Sequence, residues 1–136
     1  MTDKELISLA FDAMQKAYAP YSGYKVGAAL LTEDGRVYTG CNIENAAFGP
    51  TVCAERTAFF KAISEGEHKF RRIAVVGGKD GTVTDYFYPC GVCRQVMAEF
   101  CKADFEIITA ISEQDYIMKT LAEMLPYGFS PDNLKN

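Results

Sequence analysis

The stretches "RRIAVVGG" (residues 71–78), "GVCRQVMAEFCK" (91–102) and "FEIITAI" (105–111) decide the fold. The first and last are short apolar runs, which are typical of buried strands, and the middle one places Val92 and Val96 on one helical face. A strand, a helix and a strand in this order form a βαβ unit, whose strands pair in parallel through a right-handed crossover. The sequence therefore predicts an α/β fold.

The remaining elements are predicted on either side of this unit. The tail "TLAEMLPYGF" (120–129) is predicted to contain a short helix that Pro126 stops. Before the unit, the sequence predicts an amphipathic first helix, which begins with a Thr2–Glu5 capping box and ends at Pro20. A hairpin over 25–43 follows, with its turn at Asp34–Gly35. A second helix is predicted over 53–66, with Gly66 as its C-cap.

Length and composition bound the class of protein. The 136 residues are enough for one domain, which we expect to span 1–136, and 49% of them are hydrophobic, as in soluble globular proteins. No apolar run approaches the roughly 20 residues that span a bilayer, and "MTDKELISLA" lacks a secretory signal pattern. We expect a cytoplasmic protein with no membrane partner.

The net charge argues against nucleic acid as a partner. A formal charge of −4 repels polyanions, and no Lys/Arg cluster reverses it locally. The basic pair Arg71–Arg72 is predicted to lie at a solvated strand edge. A small neutral ligand fits this charge balance better than DNA, RNA or an anionic membrane.

Three of the five cysteines stand at predicted helix starts. Cys53 opens the second helix, and Cys90 and Cys93 open the third within "PCGVC". If both helices pack on one face of the sheet, their N-termini converge, and their dipoles stabilise thiolates that suit Zn²⁺. We expect one zinc ion per chain. Cys41 and Cys101 are expected to be small buried hydrophobic residues.

Other interpretations of the C-x-x-C pattern fit less well. A redox pair would be expected directly after a strand, and it leaves Cys53 unexplained. A closed structural zinc site needs a fourth protein ligand, yet the only histidine, His68, lies past the far end of the second helix, about 20 Å along it from Cys53. Three protein ligands leave the open position of a catalytic zinc site.

Glu55 is the candidate acid/base. It lies two residues beyond Cys53, where it could take and return a proton without binding the metal. A solvated glutamate favoured by the helix dipole is the alternative for Glu55 taken alone. Together "C-A-E" and "P-C-G-V-C" match the three-cysteine form of the zinc deaminase signature.

These motifs also carry a family resemblance. The chain closely resembles the short, zinc-dependent type of cytidine deaminase over nearly its whole length, in "YSGYKVGAAL", "GCNIENAAF", "TVCAERTA", "PCGVCRQV" and "LPYGF". The resemblance implies a three-layer α/β/α sandwich around a mixed five-stranded sheet, assembled as a homotetramer with active sites near subunit interfaces. Its fifth strand is expected at "DYIM".

The resemblance also implies residue roles. Cys53, Cys90 and Cys93 resemble the zinc ligands, Glu55 the proton shuttle, and Arg56 the arginine that offsets the excess thiolate charge. Asn42 and Glu44 resemble the pair that binds the ribose 3′-hydroxyl, and the Ala54 backbone a contact to the pyrimidine. Tyr24 stands where relatives often have a Phe that flanks the base. Phe48 stands where many relatives have a Tyr near the ribose 5′ end. Phe129 resembles an aromatic residue that reaches into a neighbouring subunit's site.

The predicted function is hydrolytic deamination of cytidine and 2′-deoxycytidine to the uridine products and ammonia, in pyrimidine salvage. The closest alternative is a blasticidin-type aminonucleoside deaminase, which shares the zinc chemistry but not "NIEN" or "LPYGF". A non-catalytic, zinc-stabilised nucleoside-binding module is an alternative from another class. A polynucleotide-editing deaminase is disfavoured by the acidic charge and small size.

Overall fold

A mixed five-stranded sheet forms the centre of the molecule, for which a computed structural model describes residues 1–135. Its order is β2-β1-β3-β4-β5, and only β3 and β4 pair in parallel. The strands are β1 (Tyr24–Thr32), β2 (Val37–Cys41), β3 (Phe70–Lys79), β4 (Glu106–Ala110) and β5 (Tyr116–Thr120). The parallel pair is the βαβ unit that the sequence predicted.

Helices cover both faces of the sheet. On one face lies α1 (Asp3–Met14), and on the other lie α2 (Ala54–Ser64), α3 (Gly91–Phe100) and the short α4 (Leu121–Met124). A 3₁₀ turn over Pro131–Leu134 follows in the tail. The three-layer α/β/α sandwich is confirmed. Within residues 1–135, no helix combines the length and the apolar composition that crossing a membrane requires.

The two halves of the core lie on opposite faces of the same strands. In β1, Val26, Ala28 and Leu30 pack toward α2 and α3, whereas Ala29 and Leu31 pack toward α1. Successive side chains of a strand point to opposite faces, so a central strand of a three-layer fold is apolar at nearly every position. This burial explains why β1 shows no alternation of polar and apolar residues.

The first helix ends earlier than predicted. It stops at Met14 rather than continuing to Pro20, and Thr2 caps it by accepting a hydrogen bond from the Glu5 backbone N–H at 3.2 Å. The backbone of Tyr18 instead pairs with the segment after β2, donating to Asn42 O at 3.0 Å and accepting from Glu44 N at 2.8 Å. This long-range pairing replaces the last helical turn.

Arg72 also differs from its prediction as a solvated strand residue. Its side chain is only 16% exposed and lies between two carboxylates, those of Asp3 and, at 2.8 Å, Glu106. Arg71, one position away on the same strand, is exposed as expected. The ion pairs join the start of α1 to β3 and β4, and a single sequence cannot show contacts between such distant segments.

The smaller predicted elements are present. The β1–β2 hairpin turns at Gly35 with φ of 91°, β5 overlaps the predicted fifth strand at 116–118, and α4 has a complete capping box of Thr120 and Glu123. Glu65 is the C-cap of α2, with Gly66 directly after it at φ of 98°. The left-handed backbone that ends this helix is one that glycine adopts without strain.

Candidate active site

Two helix N-termini each present a cysteine as the capping residue. Cys53 is the N-cap of α2 and Cys90 is the N-cap of α3, and neither sulfur makes a capping hydrogen bond. Their carbonyls accept the first helical hydrogen bonds, from Thr57 N at 3.1 Å and Arg94 N at 3.0 Å. The helices therefore begin normally, while both thiols point away from the backbone and remain available as ligands.

Close packing fixes where α2 begins. A Cβ atom on Gly40 of β2 would lie 2.4 Å from the Ala54 carbonyl oxygen and 2.6 Å from the Ala58 nitrogen. Only glycine allows the first turn of α2 to approach the sheet this closely. The position of Cys53, one residue before Ala54, depends on this contact.

The three predicted ligand sulfurs lie together. The Sγ atoms of Cys53, Cys90 and Cys93 lie within 4.8 Å of one another, and those of Cys53 and Cys90 are 3.8 Å apart. Tetrahedral zinc with Zn–S bonds of about 2.3 Å places its sulfurs about 3.8 Å apart, so the cluster fits Zn²⁺. No fourth Cys, His, Asp or Glu within residues 1–135 joins the group, and His68 is exposed elsewhere.

Neighbouring donors stabilise a thiolate in this cluster. Arg56 Nη2 lies 3.3 Å from the Cys53 sulfur. A hydrogen bond from Cys93, opposed by burial and assisted by the Arg56 bond, lowers the pKa of Cys53 to about 5. The pKa of Cys93 is raised, because its proton is held in the bond to Cys53 and because it is buried. The metal-free cluster thus already carries negative charge.

Glu55 is buried beside the cluster with no partner. The residue is 1% exposed, and neither carboxylate oxygen has a hydrogen-bond partner. Burial raises its pKa from 4.5 to about 7. An unpaired buried carboxylate is costly to maintain, so its presence next to three thiols suggests a chemical rather than a structural role.

The other predicted contact residues lie around the start of β1. Asn42 joins the strand through its side chain, accepting from Val26 N at 2.9 Å and donating to Tyr24 O at 2.7 Å. The ring of Tyr24 packs against Phe87, with centroids 5.7 Å apart. Glu44 accepts hydrogen bonds from the turn just before β1. The base-side and ribose-side candidates are thereby connected to one another.

The three remaining candidates differ in exposure. Ala54 is fully buried in the first turn of α2, backbone included. Phe48 is 80% exposed and Phe129 is 56% exposed. Both rings are therefore accessible to a ligand or to a neighbouring molecule.

The sequence and the fold both have close counterparts among known proteins. A family model described as "Cytidine and deoxycytidylate deaminase zinc-binding region" matches residues 1–109. A cytidine deaminase of Sporosarcina psychrophila is 48% identical over 134 residues, covering 98% of this chain and 96% of its own. One from Halalkalibacterium halodurans is 46% identical over 136 residues, covering 100% of both chains.

The chain belongs to the cytidine deaminase family. The crystal structure of a cytidine deaminase from Burkholderia pseudomallei superposes with a TM-score of 0.87 at 46% identity, over 95% of this chain and 100% of that one. A cytidine deaminase from Mycobacterium tuberculosis gives a TM-score of 0.81 at 37% identity, over 96% and 99% of the two chains. The zinc-binding chemistry of the family agrees with the three-cysteine cluster.

Cavity size alone would not locate the site in this cytidine deaminase family member. A cavity of about 590 Å³ lies between α3 and the tail, and one of about 650 Å³ lies where β3 and β4 begin. Neither cavity is lined by a residue of the thiol cluster. A smaller one of about 320 Å³ includes Glu44 and Phe48 in its lining. The donor chemistry identifies the site, not the volume.

Four residues with contacts to the site region were missed by sequence reasoning. Phe87 packs on Tyr24, and Ser22 binds Glu44. Arg94 donates to Pro89 O at 2.7 Å and to Met124 O at 2.6 Å, and Gln95 donates to Phe129 O at 2.7 Å. Arg94 and Gln95 directly follow Cys93 of the thiol cluster, and that adjacency was the one available signal.

Proposed function

We propose that this chain catalyses the zinc-dependent hydrolytic deamination of cytidine and 2′-deoxycytidine to uridine and 2′-deoxyuridine, with release of ammonia. The observation that carries the proposal is Glu55, a buried carboxylate without a partner beside three converging thiols. A zinc site that only stabilised a fold would gain nothing from it. Deamination of cytidine is also the activity for which the related proteins are named.

Cys53, Cys90 and Cys93 would hold the zinc ion. When bound, Zn²⁺ supplies Lewis-acid chemistry that lowers the pKa of water toward 7. Three thiolates over-compensate the charge of a divalent cation, so a nearby positive charge is needed. Arg56, whose guanidinium lies 3.3 Å from the Cys53 sulfur, provides that charge.

Glu55 carries the protons of the reaction. A carboxyl group with a pKa of about 7 can both accept and release a proton near neutral pH. Glu55 removes a proton from the attacking water and delivers it to N3 of the pyrimidine as the water oxygen bonds to C4. It then moves the hydroxyl proton to the amino group. The C4–N bond breaks, C4 becomes a carbonyl, and ammonia leaves.

The nucleoside is held by residues near the start of β1 and of α2. Tyr24 flanks the base, the Ala54 backbone contacts the pyrimidine, and Asn42 and Glu44 bind the ribose 3′-hydroxyl. Phe48 lies near the ribose 5′ end and offers only apolar contact there. The net charge of −4 disfavours a phosphate beside Glu44, so nucleosides are preferred over nucleotides and nucleic acid.

The whole chain, 1–136, acts as one domain within a homotetramer, in the cytoplasm and in pyrimidine salvage. The exposed ring of Phe129 supports the assembly, because the bond from Gln95 fixes its backbone to the helix that carries Cys93. In this arrangement Phe129 reaches the active site of a neighbouring subunit. The active sites therefore lie near subunit interfaces.

The test is an assay of zinc-loaded protein in which zinc content and loss of cytidine absorbance are measured on the same sample. We expect about one zinc per chain and turnover of both cytidine and 2′-deoxycytidine. Glu55→Gln should retain the zinc and lose activity by roughly 10²–10⁴-fold, the usual contribution of general acid/base catalysis. Glu65→Gln, at the exposed end of the same helix, is the matched control and should be active.

Two results would contradict the proposal. If the protein binds zinc and nucleoside without releasing ammonia, it is a binding module. If it deaminates blasticidin S far faster than cytidine, the substrate class is wrong.

A further inference from the structure

The side chain of Glu44 is more constrained than that of an ordinary loop carboxylate. Its Oε1 atom accepts two backbone hydrogen bonds, from Tyr21 N at 3.0 Å and Ser22 N at 3.1 Å. Its Oε2 atom accepts a third from the Ser22 hydroxyl. These bonds fix the side-chain rotamer of Glu44. Its backbone is also held in place, because Glu44 N donates to the Tyr18 carbonyl oxygen at 2.8 Å.

The number of free acceptor positions on Glu44 follows from these contacts. An ionised carboxylate has about two acceptor positions on each oxygen. Both positions of Oε1 are occupied by backbone N–H groups, and Ser22 occupies one position of Oε2. One acceptor position on Oε2 remains for a ligand. The Ser22 hydroxyl also lowers the pKa of Glu44, so the carboxylate stays ionised and cannot donate.

The direction of the Ser22 hydroxyl proton is fixed as well. The backbone N–H of Tyr24 donates to Ser22 Oγ at 2.9 Å, so the single hydroxyl proton of Ser22 is directed to Glu44. Lys79 Nζ donates to the Ser22 carbonyl oxygen at 2.5 Å, and Gly23 N donates to Ala19 O at 3.0 Å. The turn that carries Ser22 is thus held from the end of β3 as well as from Glu44.

We propose that Ser22 is a positioning residue that leaves Glu44 a single open acceptor position, so that the site recognises one sugar hydroxyl rather than a pair. The inference rests on the proposed function and adds a specificity determinant to it. A carboxylate with two oxygens free would bind the vicinal 2′- and 3′-hydroxyls together and would discriminate against deoxyribose. With one position free, Glu44 binds one hydroxyl, and the 2′-hydroxyl contributes nothing through this residue.

Ser22 also links the two halves of the nucleoside site. Its hydroxyl bonds to Glu44 on the ribose side and to the backbone of Tyr24 on the base side. Asn42 makes a second connection, from the segment that bears Glu44 to the Tyr24 carbonyl. Loss of the Ser22 hydroxyl should therefore affect sugar binding and leave the chemistry at Glu55 intact.

The test compares Ser22→Ala, Ser22→Thr and wild type on cytidine, 2′-deoxycytidine and 3′-deoxycytidine. Ser22 is exposed, so the alanine variant should fold and hold zinc. We expect its KM for 2′-deoxycytidine to rise about tenfold, the usual effect of a hydrogen bond to a charged group, with kcat changed by less than about twofold. The KM for cytidine should rise less, because its 2′-hydroxyl can use the acceptor position on Glu44 that the alanine variant frees. On 3′-deoxycytidine the variant and wild type should differ by less than about twofold, because this substrate lacks the 3′-hydroxyl that Glu44 binds.

Two further variants separate positioning from general disruption. Ser22→Thr keeps the hydroxyl and should restore KM. Ser112→Ala removes another turn serine that accepts two backbone N–H bonds, between β4 and β5, and should leave all three substrates unaffected. In a Glu44→Gln background, Ser22→Ala should produce no additional rise in KM, since Ser22 acts through Glu44.

An equal loss on 3′-deoxycytidine, an unchanged KM for 2′-deoxycytidine, an equal rise in KM for cytidine and 2′-deoxycytidine, or a failure of threonine to restore KM would each overturn the inference. Failure of the proposed function would look different, because zinc-loaded wild type would then release no ammonia from cytidine. The Ser22 comparison applies only to an enzyme that turns over.

Discussion

At the scale of single residues, Glu55 shows a conflict between stability and function. Its carboxylate is buried without a partner, which raises its pKa and disfavours the ionised form. A fold under selection for stability alone would place an apolar residue at this position. The cost is understandable where a proton must be held and released next to a metal site.

The stability of the metal-free protein should depend on pH through Glu55. The folded-state pKa, about 7, lies above the ordinary value of 4.5, so the folded protein binds more protons between these values and loses stability as pH rises through them. Glu55→Gln lacks this group. As pH rises from 5 to 8, the unfolding free energy of the variant should therefore increase relative to that of wild type by on the order of 2–3 kcal/mol.

Urea unfolding with a chelator and a reductant, across that pH range, measures the difference. Glu65→Gln is the matched control, because this exposed residue lies at the end of the same helix, and its stability curve should run parallel to that of wild type. A Glu55→Gln curve that also runs parallel to wild type would mean that the carboxylate is solvated or paired in solution.

Arg56 should act on zinc affinity in a pH-dependent way. Its bond to the Cys53 sulfur helps keep the pKa of that thiol near 5, and zinc binds only the deprotonated thiol. In Arg56→Ala the pKa should rise, so zinc affinity should fall by roughly tenfold at pH 6 and by less at pH 8, where a larger fraction of the thiol is deprotonated. Competition with a chromophoric chelator at both pH values gives the two constants.

Arg71→Ala, which removes an exposed arginine of β3, should bind zinc like wild type at both pH values. A loss of equal size at both pH values in Arg56→Ala would assign to Arg56 a packing role rather than an electrostatic one.

At the scale of elements, the site depends on the N-termini of α2 and α3, which converge at the thiol cluster. Sequence alone indicated both N-termini and therefore the thiol cluster, because a helix start and a C-x-x-C spacing are local patterns. It did not indicate that Tyr18 would leave α1 to pair with 42–44, or that Ser22 would bind Glu44. Those contacts join residues more than 20 positions apart, and no local pattern specifies them. The α/β class followed from the βαβ unit, whereas the layers and the fifth strand came from family resemblance.

Gly40 provides a test of how α2 is positioned. In Gly40→Ala the new Cβ would overlap backbone atoms of Ala54 and Ala58, so the first turn of α2 must move away from the sheet and carry Cys53 with it. We expect a loss of about 1–3 kcal/mol or more in unfolding free energy together with weaker zinc binding in the folded protein. Thermal unfolding and chelator competition provide the two measurements.

Two other glycines serve as controls for that variant. Gly27→Ala would place its Cβ 2.0 Å from the Ala10 carbonyl of α1, so it should lose stability and keep its zinc affinity. Gly49→Ala has nothing within 4 Å of the new atom and should change neither property. If Gly40→Ala and Gly27→Ala affect zinc binding equally, the β2–α2 contact is not specific to the metal site.

At the scale of the whole molecule, the surface suggests an assembly. Tyr127 is fully exposed and Phe129 is 56% exposed, although both belong to a tail that is bonded to α3. Arg94 and Gln95 hold this tail at Met124 and Phe129, and both directly follow Cys93 of the thiol cluster. The backbone that carries the two exposed rings is therefore anchored to the helix that carries Cys93.

Ligand binding and assembly should be coupled if Phe129 reaches a neighbouring site. A nucleoside whose pyrimidine lacks the 4-amino group can be hydrated at C4 but has no amine to expel, so it mimics the tetrahedral intermediate and should bind at least 10²-fold more tightly than cytidine. By mass action it should then stabilise the proposed tetramer against dilution, and Phe129→Ala should weaken both effects. Leu134→Ala, at another exposed apolar tail residue, is the control.

Sedimentation over a range of protein concentrations, with and without the analogue, measures the shift in the oligomer equilibrium. An analogue that binds no better than cytidine would contradict the addition mechanism. Tight binding that leaves the oligomer equilibrium of wild type unchanged would contradict only the shared site.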